Sequence, residues 1–311
     1  MPQIQGVKDL AMLWSPREMI LYNWFPALVL ESAKRVLRWY SGLRRRVVNV
    51  GNRRWVYLEG GTGDPVVFVH GFGIDKDHFW TFLRGVSKSY RVVVPDLPGF
   101  GEGTKRFTDS YDIPSQVKRL DLFLDKLGLD SFHMFGESLG GYISGYYASK
   151  YPEKVKSLAL MDAGGVSPTV PSDALRRFEE DGKVILVYKT VEEFEEFVSY
   201  VFEHLPWIPR PFKRHYAMQG ALNHELHSKI VEDILDTGLY LLESRLSHIS
   251  AETLVVWGAN DRLFDVSTVE KFVSGIPKSR SVIIEDCGHV PYFEKPKEAK
   301  RAYREFLAGL S

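Results

Sequence analysis

The pentapeptide Gly-Glu-Ser-Leu-Gly at positions 136–140 constrains the fold of this chain more than any other feature. It matches the pattern G-x-S-x-G, in which a serine occupies a sharp turn between a strand and a helix. The apolar run 132–135 precedes it, and a helix-like run follows over 141–148. Both glycines are needed, because a Cβ at either position would clash with the opposite arm of the turn. The pattern predicts that Ser138 lies at the end of a strand, on a strained backbone, with its hydroxyl exposed above the turn.

An acid and a histidine follow the serine in the chain order that this motif predicts. Asp261 comes just after the strand-like run 253–258, and His289 comes just after another such run at 281–285. Side chains in those places meet at the carboxyl edge of a parallel sheet. A serine hydroxyl needs an imidazole to accept its proton and a carboxylate to orient that imidazole. We therefore predict a catalytic triad of Ser138, Asp261 and His289.

A separate loop is of the type that supplies the backbone N–H donors needed in such a reaction. The apolar run 66–69 leads into His-Gly-Phe-Gly at 70–73, a loop of the HG-x-G type. We predict an oxyanion hole made of the backbone N–H groups of Phe72 and of Leu139, which directly follows the serine. Each donor of this kind typically stabilises the transition state by about 3 kcal/mol.

With these four parts in order, the chain resembles the α/β-hydrolase superfamily. Segments 70–77, 94–101 and 111–120 are similar to those of bacterial family V lipases and membrane-bound mammalian monoacylglycerol lipases. The resemblance covers most of residues 55–165 and 250–311. It implies an α/β fold with a mostly parallel central sheet flanked by helices and a helical cap. It also implies a serine esterase or lipase without a cofactor, acting on esters of small to medium acyl chain such as monoacylglycerols.

Two other functions stay open beside the lipase. Loops of the same form occur in carbon–carbon bond hydrolases of this fold, which act on ring-cleavage products. A membrane-recruited binding protein with an idle triad is the alternative from outside the enzymes. Dehalogenases and epoxide hydrolases are disfavoured, because those relatives carry Asp where Ser138 stands. The chain departs from the family pattern at Glu137, where relatives often carry Asn, Thr or His; we expect this to affect fine specificity.

Two other acids compete with Asp261 for the triad. Asp162 also follows a strand-like run, and some lipases of this superfamily take their acid from that position. Asp265 lies close by in sequence and can instead cap the helix predicted at 266–274. Asp261 is preferred, because a Gly-x-x-Asp loop after the strand is the commoner arrangement in the family.

Residues 166–249 interrupt the alternation of strands and helices. They read as mostly helical, are rich in bulky apolar side chains and contain a proline-rich break. Members of this family carry a cap or lid at this place, so we predict a helical cap over 166–249 on a core of 51–165 and 250–311. Trp207 and Phe212 are its predicted substrate-binding residues. The alternative is an ordinary helical subdomain whose aromatic residues form its own core.

Residues 1–50 precede the predicted core. The apolar run 19–30 is too short to cross a bilayer, which needs about 20 residues. Eight Lys or Arg and no Asp or Glu follow between Ser32 and Leu58. We predict an amphipathic helical segment at 1–50 and peripheral membrane association through residues 15–54; packing on the core is the alternative. Neither a basic n-region nor a cleavage site is recognised, so the chain is expected in the cytoplasm or on a membrane surface.

Composition excludes several other classes. The formal net charge is zero, with 40 basic and 40 acidic residues, so nothing indicates nucleic-acid binding. A single cysteine excludes an internal disulfide framework. His224 and His227 lack the i, i+4 spacing of the zinc-peptidase helix, so we expect a solvated helix face and no metal there.

Overall fold

A computed structural model describes residues 16–310 and places one eight-stranded sheet at the centre of that part of the chain. The strands are β1 (Leu43–Val50), β2 (Arg53–Gly60), β3 (Pro65–Val69), β4 (Arg91–Pro95), β5 (Phe132–Glu137), β6 (Val155–Met161), β7 (Glu252–Gly258) and β8 (Ser279–Ile284). Their order across the sheet is β1-β2-β4-β3-β5-β6-β7-β8. The pairs β1–β2 and β2–β4 are antiparallel, and the remaining neighbours are parallel.

Helices cover both faces of this sheet. They are α1 (Pro16–Tyr40), α2 (Trp80–Val86), α3 (Ile113–Lys126), α4 (Leu139–Lys150), α5 (Asp173–Asp181), α6 (Val191–Val201), α7 (Arg210–Thr237), α8 (Thr268–Gly275), α9 (Pro291–Glu294) and α10 (Pro296–Ala308), with a short 3₁₀ helix at Glu243–His248. Strand β5 is buried along its whole length, as expected for a parallel strand covered on both sides. The predicted α/β architecture, a mostly parallel central sheet flanked by helices, is confirmed.

Alternation along the central strands divides the core into two layers. On β7, Val255 and Trp257 pack with α3, α4 and α8, whereas Leu254 and Val256 pack with α2 and α10. Successive side chains of a strand point to opposite faces, so one apolar run supplies both layers. The rigid sheet between them fixes the positions of the loops that leave its carboxyl edge.

The described residues between β6 and β7 contain no strand and fold as α5, α6, α7 and the 3₁₀ helix. Their aromatic residues form in part a core of their own. Phe194 and Tyr216 stack with ring centroids 5.5 Å apart, within a cluster that joins α6 to α7. This cluster agrees with the alternative interpretation of the insertion for those residues.

The N-terminal segment departs from its predicted helical structure at 43–50. Those residues form β1, an edge strand that pairs with β2 from Leu43 opposite Gly60 to Val50 opposite Arg53. The turn between the strands is Gly51-Asn52, and Gly51 has φ 59°. A Gly-Asn pair between two strand-like runs is a hairpin signal, and it identifies this strand in the sequence. Residues 1–15 of the predicted segment lie outside the described residues.

Acidic residues of the core neutralise much of the basic stretch predicted to face a membrane. Lys34 Nζ lies 2.7 Å from Asp75, and Arg38 makes a two-pronged contact with Asp77 at 2.6 Å. Further ion pairs join Arg45 to Glu102 and Arg53 to Asp109. These contacts bind α1 and the first hairpin to the core. No helix among the described residues has the length and hydropathy needed to cross a membrane.

Candidate active site

Ser138 occupies the turn between β5 and α4 with φ 55° and ψ −121°. A non-glycine residue in such a conformation costs of order 1–3 kcal/mol and persists only where its surroundings hold it. The Ser138 N–H donates to the carbonyl of Met161 at 3.0 Å, and the N–H of Gly164 donates to the Ser138 carbonyl at 3.1 Å. Strand β6 and the residues just after it therefore hold the strained turn.

The two glycines of the motif are required for different reasons. A Cβ on Gly136 would lie 2.3 Å from the carbonyl oxygen of Gly140, which is the expected clash across the turn. A Cβ on Gly140 would lie 2.1 Å from the carbonyl oxygen of Val69. The obstacle at Gly140 is thus the end of β3, and the sequence alone did not indicate it.

His289 and Asp261 form a buried hydrogen-bonded pair. The Nδ1 atom of His289 donates to Oδ2 of Asp261 at 2.7 Å, while Oδ1 accepts from the N–H groups of Leu263 and Phe264. A carboxylate only accepts, so this bond places the imidazole proton on Nδ1 and leaves Nε2 free to accept one. Burial lowers the pKa of His289, but the carboxylates around it, Asp261 first and then Glu137, outweigh burial and the net shift is upward.

The competing acids have other environments. Asp162 follows β6 and lies beside the pair; its Oδ1 accepts from the Gly258 N–H at 2.9 Å. Complete burial, together with the nearby Asp261 charge, raises the pKa of Asp162 well above its usual range, which favours the neutral form of this carboxyl. Asp265 instead accepts from the N–H of Ser267 at 2.9 Å, at the start of α8. Of the three acids, Asp261 is the one hydrogen-bonded to His289.

The HG-x-G loop lies directly against the nucleophile. A Cβ on Gly71 would lie 3.1 Å from Cβ of Ser138. His70 holds this loop from behind, since its Nε2 accepts from the N–H of Leu97 at 3.0 Å and its Nδ1 donates to the Gly71 carbonyl at 2.8 Å. Phe72 and Leu139 border the same cavity as Ser138. The two predicted oxyanion donors thus belong to residues beside the serine.

His227 of α7 packs on this loop instead of facing solvent as predicted. Its ring centroid lies 5.1 Å from that of Phe72 and 5.5 Å from that of Phe100. Burial, with additional repulsion from Lys105 and His224, lowers the pKa of His227 to about 4. The imidazole is therefore neutral and acts as an aromatic surface that covers the loop.

An apolar cavity of about 190 Å³ extends from Ser138 beneath the cap. Its walls are almost entirely hydrocarbon, contributed by α5, the segment 183–186 and the second half of α7. They include Leu175, Phe178, Val184, Leu186, Ile234 and Leu235. A cavity of this composition favours an extended apolar group next to the serine.

Trp207 and Phe212, the predicted substrate-binding residues, do not line this cavity. The Trp207 side chain is 87% exposed, and Phe212 is half-buried at the start of α7. The cavity instead uses the far half of α7 and one face of α5. The spacing of Ala174, Leu175 and Phe178 on α5 is the sequence signal for that face.

Comparisons with known proteins agree with this geometry. A family model described as "alpha/beta hydrolase fold" matches residues 64–296. The chain belongs to the alpha/beta hydrolase fold family. It is 35% identical to "Lipase 1" of Psychrobacter immobilis over 83% of this chain and 81% of that protein. It is 27% identical to a monoacylglycerol lipase of Homo sapiens over 89% and 87%.

A solved structure also resembles this alpha/beta hydrolase along its whole length. It is described as a membrane phospholipase A and a bacterial virulence factor. The TM-score is 0.88 at 37% identity, and the match covers 98% of each chain.

Proposed function

We propose that this hydrolase is a monoacylglycerol lipase that cleaves esters of small to medium acyl chain through an acyl-enzyme on Ser138. The chain is a carboxylic ester hydrolase of its family. The observation that carries the proposal is the His289–Asp261 pair beside a strained Ser138 at the end of an apolar cavity. The similarity to lipases and to monoacylglycerol lipases supports a lipid ester as substrate.

The reaction follows from the proton positions. His289 Nε2 accepts the Ser138 proton as the serine oxygen attacks the ester carbonyl, and the Asp261 carboxylate stabilises the imidazolium that forms. The amides of Phe72 and Leu139 donate to the resulting oxyanion. Collapse of this intermediate expels the alcohol, which takes its proton from His289. A water molecule then hydrolyses the acyl-enzyme by the same steps.

The cavity supports a position for the acyl chain of the substrate beneath the cap. Its hydrocarbon walls favour the acyl chain over the glycerol alcohol, because burial of each methylene contributes about 0.8 kcal/mol. On such walls the glycerol hydroxyls would lose their hydrogen bonds to water and would find no new partners, which is unfavourable. The acyl chain therefore lies beneath the cap, and the leaving alcohol lies on the opposite side of Ser138.

The outward face of α1 supports peripheral membrane association, which we propose as the second part of this function. Trp24 and Trp39 are 69% and 80% exposed. Further exposed apolar side chains recur on the same side at helical spacing, namely Phe25, Leu28, Val29, Val36 and Tyr40. We call this set the α1 apolar face. An exposed apolar surface of this extent is typical of an interaction site, and aromatic side chains favour the membrane interface.

An acyl-chain profile tests the proposed activity. Purified protein is assayed on p-nitrophenyl esters and monoacylglycerols of increasing chain length, beside a ring-cleavage diketone. The proposal expects turnover of the esters, with an optimum among short to medium chains, and none of the diketone. Preferential cleavage of the diketone would replace the lipase by a carbon–carbon bond hydrolase.

A further inference from the structure

Glu137, the residue before the nucleophile, carries a buried carboxyl that the triad does not use. It ends β5 and is 2% exposed. Its Oε1 lies 3.7 Å from Nε2 of His289, the atom that exchanges protons with Ser138. Its Oε2 is buried and has no hydrogen-bond partner among the described residues. An unpaired buried carboxyl oxygen costs free energy, so its retention beside the catalytic imidazole calls for a role.

The oxyanion loop closes over the same carboxyl. The backbone N–H of Gly71 lies near this carboxyl and favours its ionised form, although no hydrogen bond joins Gly71 to Oε2. A Cβ on Gly71 would lie 2.5 Å from Oε2, so a larger residue there would displace the Glu137 carboxyl. Glu137 therefore contacts the loop on one side and the imidazole on the other.

The charges around Glu137 act in opposite directions. His289 and the more distant His78 favour the ionised form of Glu137. The charge of Asp261 disfavours that form. Asp162 and the Tyr292 ring are also close enough to interact with Glu137, so its surroundings are acidic and poorly solvated. Burial is the largest effect and raises the pKa of Glu137 to about 7. The ionised carboxylate in turn raises the pKa of His289. Each group therefore affects the ionisation of the other, and their titrations are linked.

We propose that Glu137 is a positioning residue whose carboxylate stabilises the imidazolium form of His289 from the Nε2 side, so that turnover depends on a fourth ionisable side chain. The inference rests on the proposed function, because it assigns His289 as the base. Loss of the Glu137 charge makes the imidazolium less stable. The free base needed to deprotonate Ser138 then forms at lower pH, and the acid limb of the activity profile moves down.

The experiment compares pH profiles of kcat/KM on a soluble short ester for the wild type, Glu137→Gln and Glu137→Asn. Gln keeps the shape and removes the charge, and Asn is a residue that relatives often carry at this position. The midpoint of the acid limb should fall by at least about 0.5 pH unit in both variants. Glu285→Gln is the matched control, since it makes the same change at an exposed carboxylate on the loop leading to His289, and its midpoint should not move.

A purely structural Glu137 would give a different result. Its variants would lose activity equally at all pH values, with lower melting temperatures and an unmoved midpoint, and this would overturn the proposal. The pH dependence of Ser138 labelling by a fluorophosphonate gives a second readout that needs no substrate. Labelling with the shifted midpoint but without ester turnover would contradict the proposed function and still support the role of Glu137.

Discussion

At the scale of single residues, the buried carboxyls of Asp261, Asp162 and Glu137 lie around the His289 imidazole. The environments of the two aspartates separate their roles. Asp261 accepts two backbone N–H groups besides the His289 proton, so its carboxylate is held in place against the imidazole. Asp162 accepts one backbone N–H, and complete burial with the Asp261 charge raises its pKa, which favours its neutral form. A carboxyl in its neutral form is the poorer partner for an imidazolium. This geometry favours Asp261 as the triad acid.

Asparagine substitutions distinguish these two acids. Asp261→Asn removes the charge and the acceptor that hold His289 in its tautomer, and we expect kcat to fall by about 10⁴. Asp162→Asn replaces a carboxyl that favours its neutral form by an amide of the same shape, and we expect a change of less than about tenfold. Steady-state kinetics on one ester measures both. The reverse order of damage would move the triad acid to the end of β6.

At the scale of secondary-structure elements, the cap determines which acyl chains fit into the cavity. Helices α5 and α7 present apolar side chains to the cavity, whereas the Trp207 segment between α6 and α7 faces solvent. The cap is also connected to the triad loop, since the N–H of His289 donates to the carbonyl of Val201, the last residue of α6, at 2.8 Å. Changes on the cavity side of the cap should therefore affect substrate choice.

Phe178→Ala tests this division, with Trp207→Ala as its control. Phe178 lines the cavity, so its truncation opens space for several methylenes, each contributing about 0.8 kcal/mol of binding. We expect the chain-length optimum to move to longer acyl chains by two carbons or more. Trp207→Ala should leave the profile unchanged. A shift with Trp207→Ala and none with Phe178→Ala would restore the first assignment of the substrate residues.

Local patterns predicted the elements around the candidate triad well, because each depends on short spacing. The strand–turn–helix around Ser138 and the loops after β7 and β8 occur where the sequence placed them. The cavity residues depend on which side of a helix faces the serine, and that follows from tertiary packing. Aromatic content alone selected Trp207 and Phe212, which do not line the cavity. Strand β1 was missed because its three consecutive arginines masked the hairpin signal.

At the scale of the whole molecule, the N-terminal region has two parts with different roles: its basic residues bind the core, and its apolar surface stays exposed. Ion pairs with core acids hold the inner side of α1 and the strand β1. Most of the basic residues of the N-terminal region therefore already have partners. The α1 apolar face remains exposed, and Tyr40 at its end packs on Arg84 of α2. Membrane binding should therefore depend on burial of that face more than on electrostatic attraction.

The double variant Trp24→Ser, Trp39→Ser tests the membrane proposal in vesicle co-sedimentation. We expect a clear loss of binding to neutral and anionic vesicles alike, with little effect of added salt on the wild type, because apolar burial is weakly screened. Hydrolysis of a soluble short ester should stay intact. Trp207→Ser removes an equally exposed tryptophan elsewhere and should bind as the wild type does. Unchanged binding of the double variant would contradict membrane binding through the α1 apolar face.

The account depends above all on an activated Ser138, and intact-protein mass spectrometry after fluorophosphonate treatment measures this directly. The wild type should gain one adduct, mapped to Ser138 by peptide analysis, and monoacylglycerol should slow its formation. Ser138→Ala should gain none, and His289→Ala should label slower by orders of magnitude because the serine has lost its base. An unlabelled wild type, or equal labelling of Ser138→Ala, would contradict the assignment of Ser138 as the nucleophile.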